Sequence, residues 1–175
     1  KSKKRFYFFQ ILVKVFVTQA RDINWIIIMH IILKKNYLYF YNYKIKCSIG
    51  KKGLTSMKRE GDQRTPKGKF KFILLLYRKD RVNYFRSRIK KMIIKKNMGW
   101  CDDPKSKNYN KLIKFPYSYS AEKLYLKKSI YDLILVLDFN RKPIKKGRGS
   151  AIFLHISDKN FNPTKGCIAV KKETF

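Results

Sequence analysis

Near the C-terminal end, a histidine and a cysteine stand where two strands could bring them together. The run Gly149-Ser-Ala-Ile-Phe-Leu-His155 is followed by Asn162-Pro-Thr-Lys-Gly-Cys167-Ile-Ala-Val. One strand delivers His155, a Pro-bearing loop follows, and Gly166 precedes Cys167 at the entry of the next strand. Such a pair suits nucleophilic catalysis. A free thiol with a pKa of about 8.5 is only about 3% thiolate at pH 7, so a catalytic Cys needs a neighbouring imidazole or a positive field. His155 could take the thiol proton and later return it to a leaving group. Gly166 lets substrate approach the backbone, and the Cys167 amide could help form an oxyanion hole. The same spacing also fits a small buried cysteine and a structural histidine. Cys47 reads as core, His30 as core or surface, and Cys101 as ambiguous in the loop 99–104. Two histidines so far apart give a metal site little support, and acyl transfer of this kind calls for no metal and no cofactor.

The elements that must position this pair read as strands. Tyr43, Ile45, Cys47 and Ile49 alternate with Lys44, Lys46 and Ser48, the period of a half-buried strand. Glycines 50 and 53 mark a turn, and the stretch 61–68 is a turn-rich loop before a strand over 69–77. Residues 78–98 are basic and predict a helix or an excursion, and 119–126 a short helix or turn. The β-branched run 130–139 predicts a central strand, with further strands over 150–156 and 166–170. Many short strands with little helical period give a mainly β, single catalytic domain over 37–175. Residues 1–36 are read as an extension: extra strands, a strand and short helix, or an export or anchor segment. Lys1-Ser-Lys-Lys-Arg5 before the apolar stretch 6–17 has the outline of a signal sequence, although Lys14 interrupts it. Membrane contact is expected only through this extension.

Composition narrows the function classes. The 175 residues carry 43 Lys+Arg against 11 Asp+Glu, a formal net charge of +32, yet 45% are hydrophobic. That apolar content excludes a disordered basic tail. Such charge first suggests nucleic acid. However, 33 of the cations are Lys and only 10 are Arg, and they are spread along the chain instead of gathered in a stripe. Lys enrichment alongside Ile, Asn, Tyr and Phe indicates a mutational bias filling solvated positions, and no nucleic-acid partner is expected. What remains for the charge is a field that draws in an acidic polymer and favours the Cys167 thiolate. Three cysteines without a CxxC pair suggest neither a disulfide framework nor a zinc knuckle.

Thr164-Lys-Gly-Cys167 with His155 upstream resembles the signature of the L,D-transpeptidase catalytic domain, the YkuD-like family. The resemblance runs over about 43–171, through Lys58-Arg-Glu-Gly-Asp62, Thr65-Pro66-x-Gly68, Gly99-Trp-Cys-Asp-Asp-Pro104, Tyr109-Asn110, Ser120-Ala-Glu122, Tyr131-Asp132 and Asn140-Arg141. It implies a β-sandwich with short helices and a cysteine that attacks peptidoglycan stem peptides. Its location would be the cell envelope or periplasm. On this resemblance Cys167 is the nucleophile and His155 the proton acceptor and donor. Gly166 supplies a backbone oxyanion donor, and Thr164 supports the loop. Arg59, Asp62, Trp100, Asp103, Arg148, Ser150 and Lys165 are the expected substrate-binding residues. Many family members have His before the Gly-Cys pair and Arg two residues after the Cys; here these positions hold Lys165 and Ala169. Arg148, Lys165 or Lys171 could replace that Arg in holding a substrate carboxylate. A hydrolytic carboxypeptidase or amidase of the same fold, an inactive wall-binding domain and a basic nucleic-acid-binding protein are the competing expectations.

Overall fold

The computed structural model describes residues 30–82 and 87–175. Expectations for residues 1–29, the signal-like stretch included, lie outside the described residues. The first half of the chain gives β1 (Ile32–Lys34), β2 (Tyr37–Phe40), β3 (Tyr43–Ser48), β4 (Leu54–Thr55), β5 (Thr65–Pro66), β6 (Phe72–Tyr77) and β7 (Lys91–Ile93). The second half gives β8 (Met98–Cys101), β9 (Leu112–Lys114), β10 (Ala121–Lys123), β11 (Leu133–Leu137), β12 (Phe153–Ile156) and β13 (Ile168–Val170). The helical content described is two short 3-10 turns, Ser129–Tyr131 and Lys172–Thr174. Among the described residues, no helix is long and apolar enough to cross a membrane.

An eight-stranded sheet in the order β1-β2-β3-β13-β12-β11-β6-β7 carries the site. Strand β11 sits deep within it because Leu133-Ile-Leu-Val-Leu137 is apolar at every position, so both faces can be covered. Ile134 and Val136 join Leu76, Phe153 and Cys167 in a core on one face. Val170, Ile168, Leu154 and Cys47 form a second core with Leu33 and Leu38. Met98, Trp100 and Leu124, carried on or beside the small sheet β10-β8-β9, complete the first core, which makes the domain a two-layer sandwich. Phe153, fully buried, meets the rings of Trp100 and Tyr131 edge-on at 5.3 and 6.3 Å. Losing that ring would cost about 3–5 kcal/mol.

The mainly β class expected from the patterns is the class observed. The differences are local and physical. The strand expected over 69–77 begins only at Phe72, because the Lys71 N–H turns to Asp138 Oδ1 at 2.8 Å. The strand expected from 150 begins at Phe153, because Ala151 has a φ of 49° and its N–H is held by Asn110 Oδ1. The expected helix or turn over 119–126 contains β10, and the loop 99–104 opens within β8. These two pair with each other, Glu122 opposite Trp100, so tertiary pairing overrides weak local preference. No helix lies in the described part of 78–98; Lys91–Ile93 adds an edge strand parallel to β6. At the other end, β1 lies ahead of position 37 and pairs with β2, so the hairpin spans the expected domain start.

Candidate active site

His155 and Cys167 are brought together by the parallel pair β12–β13. Leu154 is opposite Ile168 and His155 opposite Ala169, so Cys167 falls beside Phe153, two residues down the same face from His155. Both line one cleft of about 790 Å³. The volume is within the ordinary range for ligand sites.

The backbone before Cys167 is fixed from both sides. Thr164 is bridged to Gly50, with Lys51 N–H to Thr164 O and Thr164 N–H to Ile49 O, both 2.9 Å. The Thr164 hydroxyl donates to Cys167 O at 2.6 Å and accepts from Gly166 N–H at 3.1 Å. Buried Thr65 donates to Gly166 O at 2.8 Å and accepts from Gly50 N–H at 2.9 Å. Gly166 has a φ of 143°, and a Cβ there would stand 3.0 Å from Arg64 O. Glycine is therefore required for conformation and space alike. With the Gly166 N–H engaged by Thr164, the Cys167 amide is the better-placed candidate for an oxyanion donor. The sequence expected backbone donors from both Gly166 and Cys167; of the two, the Gly166 N–H is the one already engaged.

Cys167 is 8% exposed. It donates to Ala151 O at 3.1 Å and accepts the Phe153 N–H at 3.4 Å. Burial pushes its pKa well up, and the Glu122 carboxylate adds to this, against the Phe153 N–H and Lys58. The positive field expected to favour a thiolate is therefore outweighed at the sulfur. His155 is 7% exposed, and its Nδ1 lies 2.8 Å from Ile156 O. A carbonyl only accepts, so Nδ1 carries the hydrogen and Nε2 keeps the lone pair. Burial lowers the His155 pKa, and the Ile156 and Ile130 carbonyls and Asp158 only partly offset this. Tyr131 packs edge-on to the imidazole at 5.2 Å. The resting site thus holds a neutral thiol and a neutral base, with the thiol proton on Ala151 O.

Of the other expected residues, Asp103, Ser150 and Lys165 line the cleft. Asp62 lies just behind it and holds the 58–64 turn, accepting from Lys58 Nζ at 2.5 Å and from the Arg59 and Arg64 N–H at 2.9 Å. Burial raises its pKa, but those donors outweigh burial and leave the carboxyl below its ordinary range. Arg59 and Arg148 are exposed and do not line the cleft. Trp100 is a correction: it is 1% exposed in the core, where its N–H donates to Asn110 Oδ1 at 2.9 Å. The same oxygen accepts Ala151 N–H at 3.1 Å, so Trp100 acts on the thiol's neighbour through Asn110 and touches no cleft. Ala169 lines the cleft where many relatives have Arg; of the suggested replacements, only Lys165 does so too.

The cleft also contains residues that the sequence did not single out. Lys58 is 6% exposed and ion-paired with Asp62. Glu122 accepts from Tyr131 Oη at 2.5 Å, and both line the cleft. Burial raises the pKa of each. Their signal was present in the motif blocks Lys58–Asp62, Ser120–Glu122 and Tyr131-Asp132, but no spacing rule joins positions so distant.

The family model of the L,D-transpeptidase catalytic domain, YkuD, matches residues 27–174. No curated protein and no solved structure matches the chain.

Proposed function

The chain belongs to the L,D-transpeptidase (YkuD) catalytic domain family, and on that premise we propose that it transfers an acyl group of a peptidoglycan stem through a thioester on Cys167. Members of the family are cysteine-dependent enzymes that act on peptidoglycan peptide stems. The observation that carries the reading is the placement of His155 and Cys167 on one sheet face in one cleft.

Substrate entering the cleft displaces the thiol from Ala151 O. His155 Nε2 takes the thiol proton as sulfur attacks the carbonyl carbon of the third stem residue. The Cys167 amide stabilises the oxyanion. The C–N bond to the terminal D-amino acid breaks, and His155 gives the proton to its leaving amine. An acceptor amine then attacks the thioester; the new amide forms, the amine's proton passes through His155, and the thiol is restored. Burial suits His155 to this work, because an imidazole kept neutral near pH 7 is ready as a base. The residues that carry the steps need no metal or organic cofactor. Work on stems would be done in the cell envelope, where family members typically act.

Water in place of the acceptor amine would make the same site a carboxypeptidase. Product analysis of a stem tetrapeptide with an added acceptor amine decides the matter. Crosslinked product lost in Cys167→Ala is the expected result. Trimmed stems alone would assign hydrolysis, and turnover unchanged in Cys167→Ala would overturn the reading.

A further inference from the structure

Acyl transfer to an amine has a proton balance that one histidine cannot close. An alkyl amine titrates at about 10.4, so at neutral pH it arrives as an ammonium. Thioester and ammonium together give an amide, a thiol and one free proton. Two protons must therefore leave the nitrogen, one before it can attack and another as the amide forms. The second returns to the sulfur through His155. That imidazole has room for one proton only, because its Nδ1 hydrogen is held by Ile156 O at 2.8 Å and Nε2 alone is vacant. The first proton needs another base.

The cleft wall offers carboxylates. Glu60, Asp102, Asp103, Glu122 and Asp158 line it, against Lys58 and Lys165 as its cations, although cations outnumber carboxylates 43 to 11 across the chain. Asp158 is committed to its own loop: it accepts Asn162 N–H at 2.9 Å and Nδ2 at 2.8 Å, which hold its carboxyl below the ordinary range. Asp103 likewise accepts the Lys105 N–H at 2.9 Å.

Glu122 differs in what it stands beside. Its one hydrogen bond among the described residues runs from Tyr131 Oη to Oε1 at 2.5 Å, which leaves Oε2 open. The same Tyr131 ring packs edge-on to the His155 imidazole at 5.2 Å, so the carboxylate and the imidazole flank one side chain. Of the five carboxylates, Glu122 is the one whose charge acts on the Cys167 sulfur. Burial holds its carboxyl above the ordinary range despite the Tyr131 hydroxyl, and Asp102 and Glu60 add like-charge repulsion. Such a carboxylate is a stronger base than an exposed one.

We propose that Glu122 is the general base for the acceptor: Oε2 takes the first proton from the incoming ammonium, and His155 takes the second. This rests on Cys167 being the acyl carrier. The ammonium N–H bond breaks toward Glu122, and the freed lone pair forms the C–N bond as the C–S bond breaks. His155 Nε2 passes its proton to the sulfur, and Glu122 releases its own to water. Acylation thus uses His155 alone, and the second half of the reaction has a base of its own.

The test separates acceptors that carry the extra proton from those that do not. A thioester formed from a stem tetrapeptide is chased either with N-acetyl-lysine amide, whose side-chain amine is an ammonium at neutral pH, or with hydroxylamine, largely uncharged there. Time-resolved intact mass reads the discharge rate. The ratio of the lysine-amide rate to the hydroxylamine rate is expected to fall about 10²-fold in Glu122→Gln. Both rates are taken on protein already carrying thioester, so an unfolded fraction does not enter the ratio. An unchanged ratio, or a Glu122→Gln protein that forms no thioester, overturns the inference and leaves the acyl-transfer reading standing. No thioester on the unmodified protein overturns that reading itself, and the inference with it.

Discussion

Two buried thiols lie on neighbouring strands and face opposite sides of the sheet. Cys47 on β3 pairs with Val170 and packs with Leu33, Leu38 and Ile168. Cys167, at the start of β13, packs with Phe153, Trp100 and Tyr131 on the other face. They are 1% and 8% exposed, and burial raises the pKa of both, that of Cys47 to about 12. Burial therefore does not tell a nucleophile from a core cysteine. Polar convergence does. Around Cys167 stand an acceptor at Ala151 O, a donor at Phe153 N–H, the charges of Glu122 and Lys58, and a base on the same face. Desolvation is the only cause acting on Cys47. On the proposed reading, a thiol in the first setting is the one that reacts with substrate, and one in the second fills space.

The comparison can be broken most directly by substitution. Cys167→Ala is expected to lower turnover of a stem tetrapeptide at least about a thousandfold, because no second thiol lines the cleft. His155→Gln is expected to lose about 10²–10⁴-fold in kcat, the usual worth of a positioned proton carrier. Steady-state kinetics on folded variants, judged by circular dichroism, measure both. A His155→Gln variant with full activity would return His155 to the status of a structural residue.

The support beneath Cys167 should show in stability as well as in rate. Thr65→Val leaves the Gly50 N–H and Gly166 O without the hydroxyl that joins them. The expected cost is about 1–3 kcal/mol in chemical denaturation, with a lower kcat. On the other face, Cys47→Ala removes one sulfur from an apolar cluster. It should cost about 1 kcal/mol and leave turnover unchanged.

The pH profile sharpens the contrast further. His155 must be neutral to accept the thiol proton, and its pKa is lowered from 6.5. Turnover should therefore hold as pH falls past 6.5 and decline only when pH drops through the lowered value. An acid limb centred at or above 6.5 would contradict a buried base. Alkylation by iodoacetamide at neutral pH gives the smallest signal. Without substrate both thiols should react slowly, and rapid labelling of Cys167 would mean that its thiolate is already formed.

Much of this was legible along the chain, for a physical reason. Ile134, Val136 and their neighbours form an uninterrupted apolar run, so a central strand follows from composition. His155 and Cys167 lie 12 positions apart on consecutive strands, within reach of local reasoning. Glu122 and Tyr131 reach the same cleft from another sheet and from a 3-10 turn, and Thr65 holds the Gly166 carbonyl from a two-residue strand. Strands of two or three residues have no period to detect, and partners define them. Trp100 misled because its motif block does reach the cleft through Asp102 and Asp103, while its own N–H is satisfied inside by Asn110. The sign of the cleft was hidden altogether, since net charge says nothing about how charges are sorted in space.

Incubating the unmodified protein with a stem tetrapeptide, followed by intact-mass measurement and peptide mapping, puts the nucleophile to the most direct test. The expected result is an adduct of the stem less its terminal D-amino acid, mapped to Cys167, absent in Cys167→Ala and retained in Cys47→Ala. Stem processing without any adduct in the Cys167→Ala protein, or an adduct mapped to Cys47 or Cys101, would contradict the assignment.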